Sequence, residues 1–257
     1  MSLTFEARKK TILETLEKDE IVKVRTLAES LYVSGETIRR DLDKLEKNGL
    51  LKKVYGGAVK AKLTTELTFD QKTTLNKQEK RAISKAAADL VEDGDSILIG
   101  HGTTTLDIVR FLNGKNNVKV ITASVPVLLL AMEMFHGQII FLGGEVERHQ
   151  KFTSGSLSEM SLGQLKVNKA FIAAGGVSIK DGITDYDLHG SSMSRKMIER
   201  VNEAIILADH TKFGKTTFAH ICALTDISVI VTSEKCSEEW KSTLIEKEIE
   251  LLVAEIF

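Results

Sequence analysis

Two cysteines in 257 residues leave little scope for disulfide chemistry. Cys222 and Cys236 share no metal-like spacing, and so few thiols fit a reducing cytoplasm better than a disulfide framework. Long apolar runs are also missing. The stretch "VPVLLLAMEMF" falls short of the about 18 apolar residues that span a bilayer, so no membrane partner is expected. The opening "MSLTFEARKK" has no apolar h-region, and no secretory signal is read there. A strong excess of charge is missing too. The net charge of −1 argues against a chain that coats nucleic acid along its whole length. The six histidines fall in no ligand spacing such as H-E-x-x-H, so neither metal nor cofactor is expected. There is no G-x-S-x-G elbow. Residues 214–217, "GKTT", imitate the end of a Walker loop, but Asp209 stands where its first glycine belongs, which excludes the triphosphatase reading. Internal repeats and low-complexity tracts are absent.

What is present is an apolar fraction of 42%, enough for a sizeable core, and an uneven spread of charge. Residues 1–62 carry 14 basic and 10 acidic side chains, and the rest carries 21 and 26. A mildly basic head on an acidic body hints at a polyanion contact by the head. Three helical patterns and a hairpin fill that head. The first runs from Thr4 to Glu17, with Ile12, Leu13 and Leu16 on one face. The second runs from Val24 to Leu31, with Leu27, Ala28 and Leu31 inward. Ser34 can cap the third, which buries Ile38, Leu42 and Leu45 at helical spacing and ends at Asn48-Gly49. "LLKKV" and "AVKAK" then read as strands about "YGG".

With Ile38, Leu42 and Leu45 inward, Glu36, Thr37, Arg40, Asp43, Lys44 and Lys47 point outward and Arg39 lies on the flank. Arginine can donate two hydrogen bonds to guanine, and threonine can meet a base edge or a thymine methyl, so this helix suits a major groove. Lys52 and Lys53 face opposite sides of the hairpin and Tyr55 stands at its tip; each can reach phosphate. The candidate DNA-binding residues are Ser34, Glu36, Thr37, Arg39, Arg40, Lys44, Lys52, Lys53 and Tyr55.

Residues 62–76 are polar and without period, and read as a linker, or a domain-swapping segment, between a head over 4–61 and a body over 77–257. Asn76 is expected to cap a helix to Glu92. Beyond it, short apolar runs alternate with helical patterns. Strands are expected at "SILIG", "VKVIT", "QIIFLGG", "KAFIAAG", "EAIILAD", "DISVIVT" and "EIELLVAE". Helices are expected near 104–112, 125–135, 157–165, 189–201 and 237–245. This alternation gives an α/β class with a mostly parallel sheet covered on both faces. "GHGTTT" follows one strand and opens a helix, where main-chain N–H groups and hydroxyls can cradle a phosphate. Asp209 and Lys212 follow another strand. Gly143-Gly144, then Arg148 and Lys151, follow a third.

Two stretches carry a family resemblance. "VRTLAESLYVSGETIRRDLDKLEKNGLLKKVYGGAV" resembles the winged helix-turn-helix of DeoR-type bacterial transcription regulators, with Tyr55 where the family commonly has His. In the body the matching runs are Gly102-Thr103-Thr104-Thr105, Thr122, Gly143-Gly144, Phe171 with Gly175-Gly176, and Asp209 with Thr211 to Gly214. This resemblance implies an effector domain related to sugar-phosphate isomerases that binds a phosphorylated sugar. Its candidate contacts are His101, Gly102, Thr103, Thr104, Thr105, Thr122, Gly143, Gly144, Arg148, Lys151, Asp209 and Lys212. Gly100-His101 replaces the family's acidic-and-small pair and Ala123 its Asn, positions that bear on which sugar is chosen.

The reading taken is a cytoplasmic repressor of carbohydrate catabolism genes. Its partners are double-stranded operator DNA, a phosphorylated sugar that relieves repression, and further copies of itself in a dimer or tetramer. The alternative is a sugar-phosphate isomerase with an accessory head. That chemistry needs a positioned base. The stretch "AAGGVS" has no carboxylate, and Asp181, Asp185 and Asp187 follow in what reads as a loop.

Overall fold

The computed structural model of the protein describes residues 4–19, 21–47, 50–60 and 66–257. The chain divides into two compact units, Met1–Leu67 and Thr68–Phe257. The first contains α1 (Phe5–Asp19), β1 (Ile21–Lys23), α2 (Val24–Ser30), α3 (Gly35–Lys47), β2 (Leu51–Val54) and β3 (Gly57–Lys60). Its core is Ile12, Leu16, Val22, Leu27, Leu31, Ile38, Leu42, Leu45, Leu51 and Ala58, as the helical spacing requires. The three strands pair antiparallel in the order β1-β3-β2. The sequence does not announce β1, because three residues show no period. Its pairing depends on Gly57, where an added Cβ would stand 2.0 Å from the Val22 carbonyl oxygen. Asn48-Gly49, and the end of "AVKAK" beyond Lys60, lie outside the described residues.

The second unit opens with a correction. The stretch read as a linker contains α4 (Phe69–Thr74). Thr68 and Gln71 form a reciprocal capping box that starts this helix, and Phe69 is buried beneath it. The signal is one turn long, too short for a period to show. Asn76 precedes α5 (Lys77–Asp89), but its side chain caps nothing. Its φ of +51° instead turns the chain between the helices, a left-handed conformation that Asn tolerates.

There follow β4 (Ser96–Ile99), a 3-10 turn at Leu106–Phe111, β5 (Lys119–Thr122), α6 (Val125–Met134), β6 (Gln138–Phe141), β7 (Glu145–Glu147), β8 (Phe152–Ser154), α7 (Ser156–Gly163), β9 (Val167–Ala173), β10 (Gly176–Ser178), β11 (Gly182–Asp185), α8 (Leu188–Glu199), β12 (Val201–Leu207), a 3-10 turn at His210–Lys212, β13 (Ala219–Cys222), β14 (Val229–Ser233), α9 (Glu238–Glu246) and β15 (Glu250–Ala254). The expected helix at 104–112 is thus a shorter 3-10 segment, where a run of threonines and the β-branched Ile108 and Val109 disfavour an α-helix.

The seven expected strands form one parallel sheet, in the order β15-β14-β12-β9-β4-β5-β6. Alternate side chains feed the two faces. Ile97, Ile99, Ile205 and Leu207 pack with α5 and α6, whereas Leu98, Ala204 and Ile206 pack with α7, α8 and α9. The chain builds outward from β4 to β6, then returns to β4's other side with β9. The sheet therefore reverses its direction of growth between β4 and β9. In open α/β sheets this is where the strands' carboxyl ends leave a crevice.

Candidate nucleic-acid interface and effector basin

In the head, the Ser34 hydroxyl accepts the Thr37 N–H at 3.1 Å and lies 2.9 Å from the Thr37 hydroxyl, which fixes the start of α3. Glu36, Arg39 and Arg40 are exposed beside it. Glu36 holds both guanidinium groups on the helix surface, at 3.3 Å from Arg39 and 3.6 Å from Arg40. Such exposed pairs are weak, so a stronger anion can displace them. The Lys44 ammonium sits 4.8 Å over the Phe5 ring.

The hairpin lysines differ. Lys52 is exposed with no partner among the described residues, while Lys53 binds the Asp43 carboxylate and donates its main-chain N–H to Glu46 at 2.7 Å. The Asp43 hydrogen bond raises the Lys53 pKa. Lys53 therefore braces β2 against α3, and Lys52 carries the freer of the two ammonium groups. Tyr55 is fully exposed at the tip. Asp41 is an unforeseen element. It is buried and accepts from Arg8 Nε at 2.6 Å and Nη2 at 3.1 Å, which clamps α1 to α3. Nothing in the local pattern pairs residues that far apart.

In the body, the loop after β4 sits at the reversal point. Gly102 takes a φ of +122°, and a Cβ there would press to 2.8 Å from Ala173 at the end of β9. The main-chain N–H groups of His101 to Thr104 have no acceptor among the described residues. The threonines then divide. Thr105 is buried and donates to the Gly100 carbonyl at 2.8 Å, so it shapes the loop. Thr104 is buried, and its carbonyl receives the Ser84 hydroxyl at 2.6 Å. Thr103 is half-buried without a partner among the described residues, and its hydroxyl is the available donor. Thr122 is corrected to a structural role, because its buried hydroxyl donates to the Ile99 carbonyl at 2.7 Å and accepts from Ser124.

Lys80 was missed entirely. It lies one helical turn before Ser84 on α5, hence on the same face as the hydroxyl that reaches the loop. Burial lowers its pKa to about 8, with Asp209 raising it and Lys212 and Lys72 lowering it. Lys212 lies 5.7 Å over the Tyr186 ring. Burial pushes the Asp209 carboxyl up, but Lys212, the Thr211 bonds and Lys80 outweigh it and hold the group below the usual range. Asp209 caps the turn, accepting the Thr211 N–H at 2.9 Å. A buried knot lies behind it. Glu79 accepts from Ser233 Oγ at 2.7 Å, from the His210 main-chain N–H at 2.8 Å, and contacts His210 Nδ1 at 2.8 Å. Glu79, Asp209 and His210 approach within 4.8 Å, a grouping that could hold a cation, but the Glu79 oxygens are already engaged.

Four further predicted contacts follow β6. Gly143 and Gly144 follow β6, and a Cβ at Gly144 would stand 2.4 Å from the Ser154 carbonyl oxygen, so its smallness serves packing. Arg148 is exposed in the β7–β8 turn, and Lys151 pairs with Asp70 of α4 at 2.5 Å. This pair too is exposed and weak, so a stronger anion can displace it. His101 and Asp185, by contrast, come together at 3.3 Å. Asp185 was read as a loop residue, but it is a buried end of β11, which pairs antiparallel with β10 and β13.

With this geometry in view, comparisons with known proteins are consistent. The family profile "DeoR-like helix-turn-helix domain" matches residues 8–64, and "DeoR C terminal sensor domain" matches residues 75–234. The chain is 31% identical over 233 residues to the HTH-type transcriptional regulator IolR of Bacillus subtilis, covering 91% of this chain and 93% of that one. It is 32% identical to a lactose phosphotransferase system repressor of Staphylococcus epidermidis, covering 94% and 96%. The ribose 5-phosphate isomerase A of Methanocaldococcus jannaschii superposes with a TM-score of 0.41 at 21% identity, over 54% of this chain and 55% of that one. No helix among the described residues is long and apolar enough to cross a membrane. With both halves matched to its two domains, the chain is a regulator rather than an isomerase and belongs to the DeoR family of helix-turn-helix transcriptional regulators.

Proposed function

We propose that the protein is a cytoplasmic, homo-oligomeric repressor of carbohydrate catabolism genes, released from its operator by a phosphorylated sugar. The observation that carries the reading is the basin at the β4–β9 reversal. Unbonded N–H groups of His101 to Thr104, the Thr103 hydroxyl, and the ammonium groups of Lys80 and Lys212 belong to elements that meet there. Neutral donors shape the oxygen contacts of a phosphate, and the two cations balance its charge. A lysine is desolvated at a cost, and an arriving dianion offsets that cost. In the head, the half-buried Thr37 and the exposed Arg39 and Arg40 supply groove contacts and Lys52 a phosphate contact.

Coupling follows if the effector binds the DNA-competent and released forms unequally. A thermal-shift screen against sugar phosphates, paired with an operator gel shift, tests the reading. A sugar phosphate is expected to raise the melting temperature and release DNA at similar concentrations. Stabilisation by none of them, or stabilisation without release, overturns it.

A further inference from the structure

The geometry points to His101 and Asp185 as the pair that reads the hydroxyl-bearing end of the effector, opposite the cations that hold its phosphate. This inference rests on the sugar-phosphate reading above. The His101 ring is held on two sides. It stacks on the buried Phe152 ring at 4.2 Å between centroids and an 18° tilt. Gly190 in the first turn of α8 lies against its edge, where a Cβ would stand 2.7 Å from Nε2. Asp187 fixes that turn by accepting the Gly190 N–H at 2.8 Å.

Nε2 lies 3.3 Å from Asp185 Oδ2, and the other Asp185 oxygen accepts the Tyr186 N–H at 2.8 Å. In the neutral ring a carboxylate beside Nε2 favours the tautomer with its proton there, in which the Nδ1 lone pair is an acceptor. Nδ1 has no partner among the described residues and is not enclosed by them.

Charge decides which end of the ligand sits here. Burial pushes the Asp185 carboxyl up, yet His101, the Tyr186 N–H and Lys72 together hold it below its usual range, so it is an anion at neutral pH. A phosphate dianion is repelled by that carboxylate, whereas sugar hydroxyls donate to both Asp185 and Nδ1. The two ends belong to one basin. Tyr186 follows Asp185 directly and carries the Lys212 ammonium over its ring at 5.7 Å. His101 also precedes Gly102 of the phosphate loop. A site built to accept hydroxyl hydrogens discriminates strongly among analogues that lack or misplace them.

The test measures affinities of the full-length protein by calorimetry for glucose 6-phosphate, fructose 1-phosphate, ribose 5-phosphate, glycerol 3-phosphate and inorganic phosphate. His101→Phe keeps the stacking on Phe152 and removes both ring nitrogens. It is expected to weaken the best sugar phosphate at least about tenfold and flatten the ranking, with inorganic phosphate unchanged. His101→Gln and Asp185→Asn are expected to reshape the ranking in the same way, and they decide the matter if the Phe variant does not fold. Parental affinities and ranking in the folded variants overturn the inference. So does an equal loss for inorganic phosphate, which would make His101 a phosphate contact. If the parent protein binds no sugar phosphate, the underlying functional reading falls first and takes this one with it.

Discussion

The Lys80 ammonium donates to the main-chain carbonyl of Lys72 at 2.7 Å, so a basin cation holds the last turn of α4. The same lysine is buried, which lowers its pKa from 10.5 to about 8. The unfolded chain binds that proton more tightly between these values, so stability rises with pH across the window of about 8 to 10.5. The span corresponds to about 3 kcal/mol. Lys80→Met is expected to raise the ligand-free melting temperature near neutral pH, flatten the alkaline rise, and abolish stabilisation by the effector. Calorimetric scans from neutral to alkaline pH check all three. An unchanged alkaline rise in the variant would remove Lys80 as its source.

Arg40→Ala should leave the head folded, because its side chain is exposed and its one ion pair among the described residues is with Glu36. Losing a two-pronged base contact costs about 1–3 kcal/mol of operator affinity and relaxes preference at one base pair. Gel shifts against single-base operator variants measure both effects; parental affinity would exclude Arg40 from the groove.

Lys52→Ala should weaken binding to all sequences alike and reduce the salt slope by about one. Lys53→Ala should change that slope less, because Asp43 already holds its ammonium. Salt titrations of the two variants separate them, and equal slopes would contradict the assignment.

Asp41→Ala removes the buried carboxylate that accepts Arg8 Nε and Nη2 and clamps α1 to α3. Losing hydrogen bonds to a charged group costs about 1.5–3 kcal/mol. The head should unfold at a lower temperature, with operator binding lost and effector binding by the body retained. Circular dichroism melts and calorimetry distinguish this outcome from a direct DNA contact, which would leave the melt unchanged.

Lys212→Ala and Thr103→Val are expected to weaken effector binding while sparing ligand-free operator affinity, giving a repressor that no longer releases. Thr104→Val should do less, since Thr104 is buried. Undiminished effector affinity in Lys212→Ala would take that lysine out of the basin.

The sheet was legible because its central strands are buried on both faces and read as apolar runs, and the half-buried edge strands β6 and β15 keep enough apolar residues to read the same way. The helical spacing of Ile38, Leu42 and Leu45 likewise named the outward face of α3. The short strands β7, β8, β10, β11 and β13 escaped because three or four residues interrupted by glycine and charge give no period. Site residues split along the same line. His101 and Lys212 stand in recognisable runs at strand ends, whereas Lys80 looks like any helix-surface lysine until folding buries it. Asp185 and Asp41 gain meaning only from partners far off in sequence. Lys151 likewise has a partner, Asp70, that its own run does not announce.

The joint between β4 and β9 has a consequence for synthesis. Its strands lie about 70 residues apart, and it is pinned by Lys169 to Asp95 at 2.8 Å and by Ser96 to Asn168 at 2.7 Å. While the ribosome is still translating the segment between them, β4 has a bare edge where β9 will pair. The head, made first, is by then free of the exit tunnel. On the function proposed above, a nascent chain paused before β9 presents the DNA-reading head before the basin that would switch it off is complete.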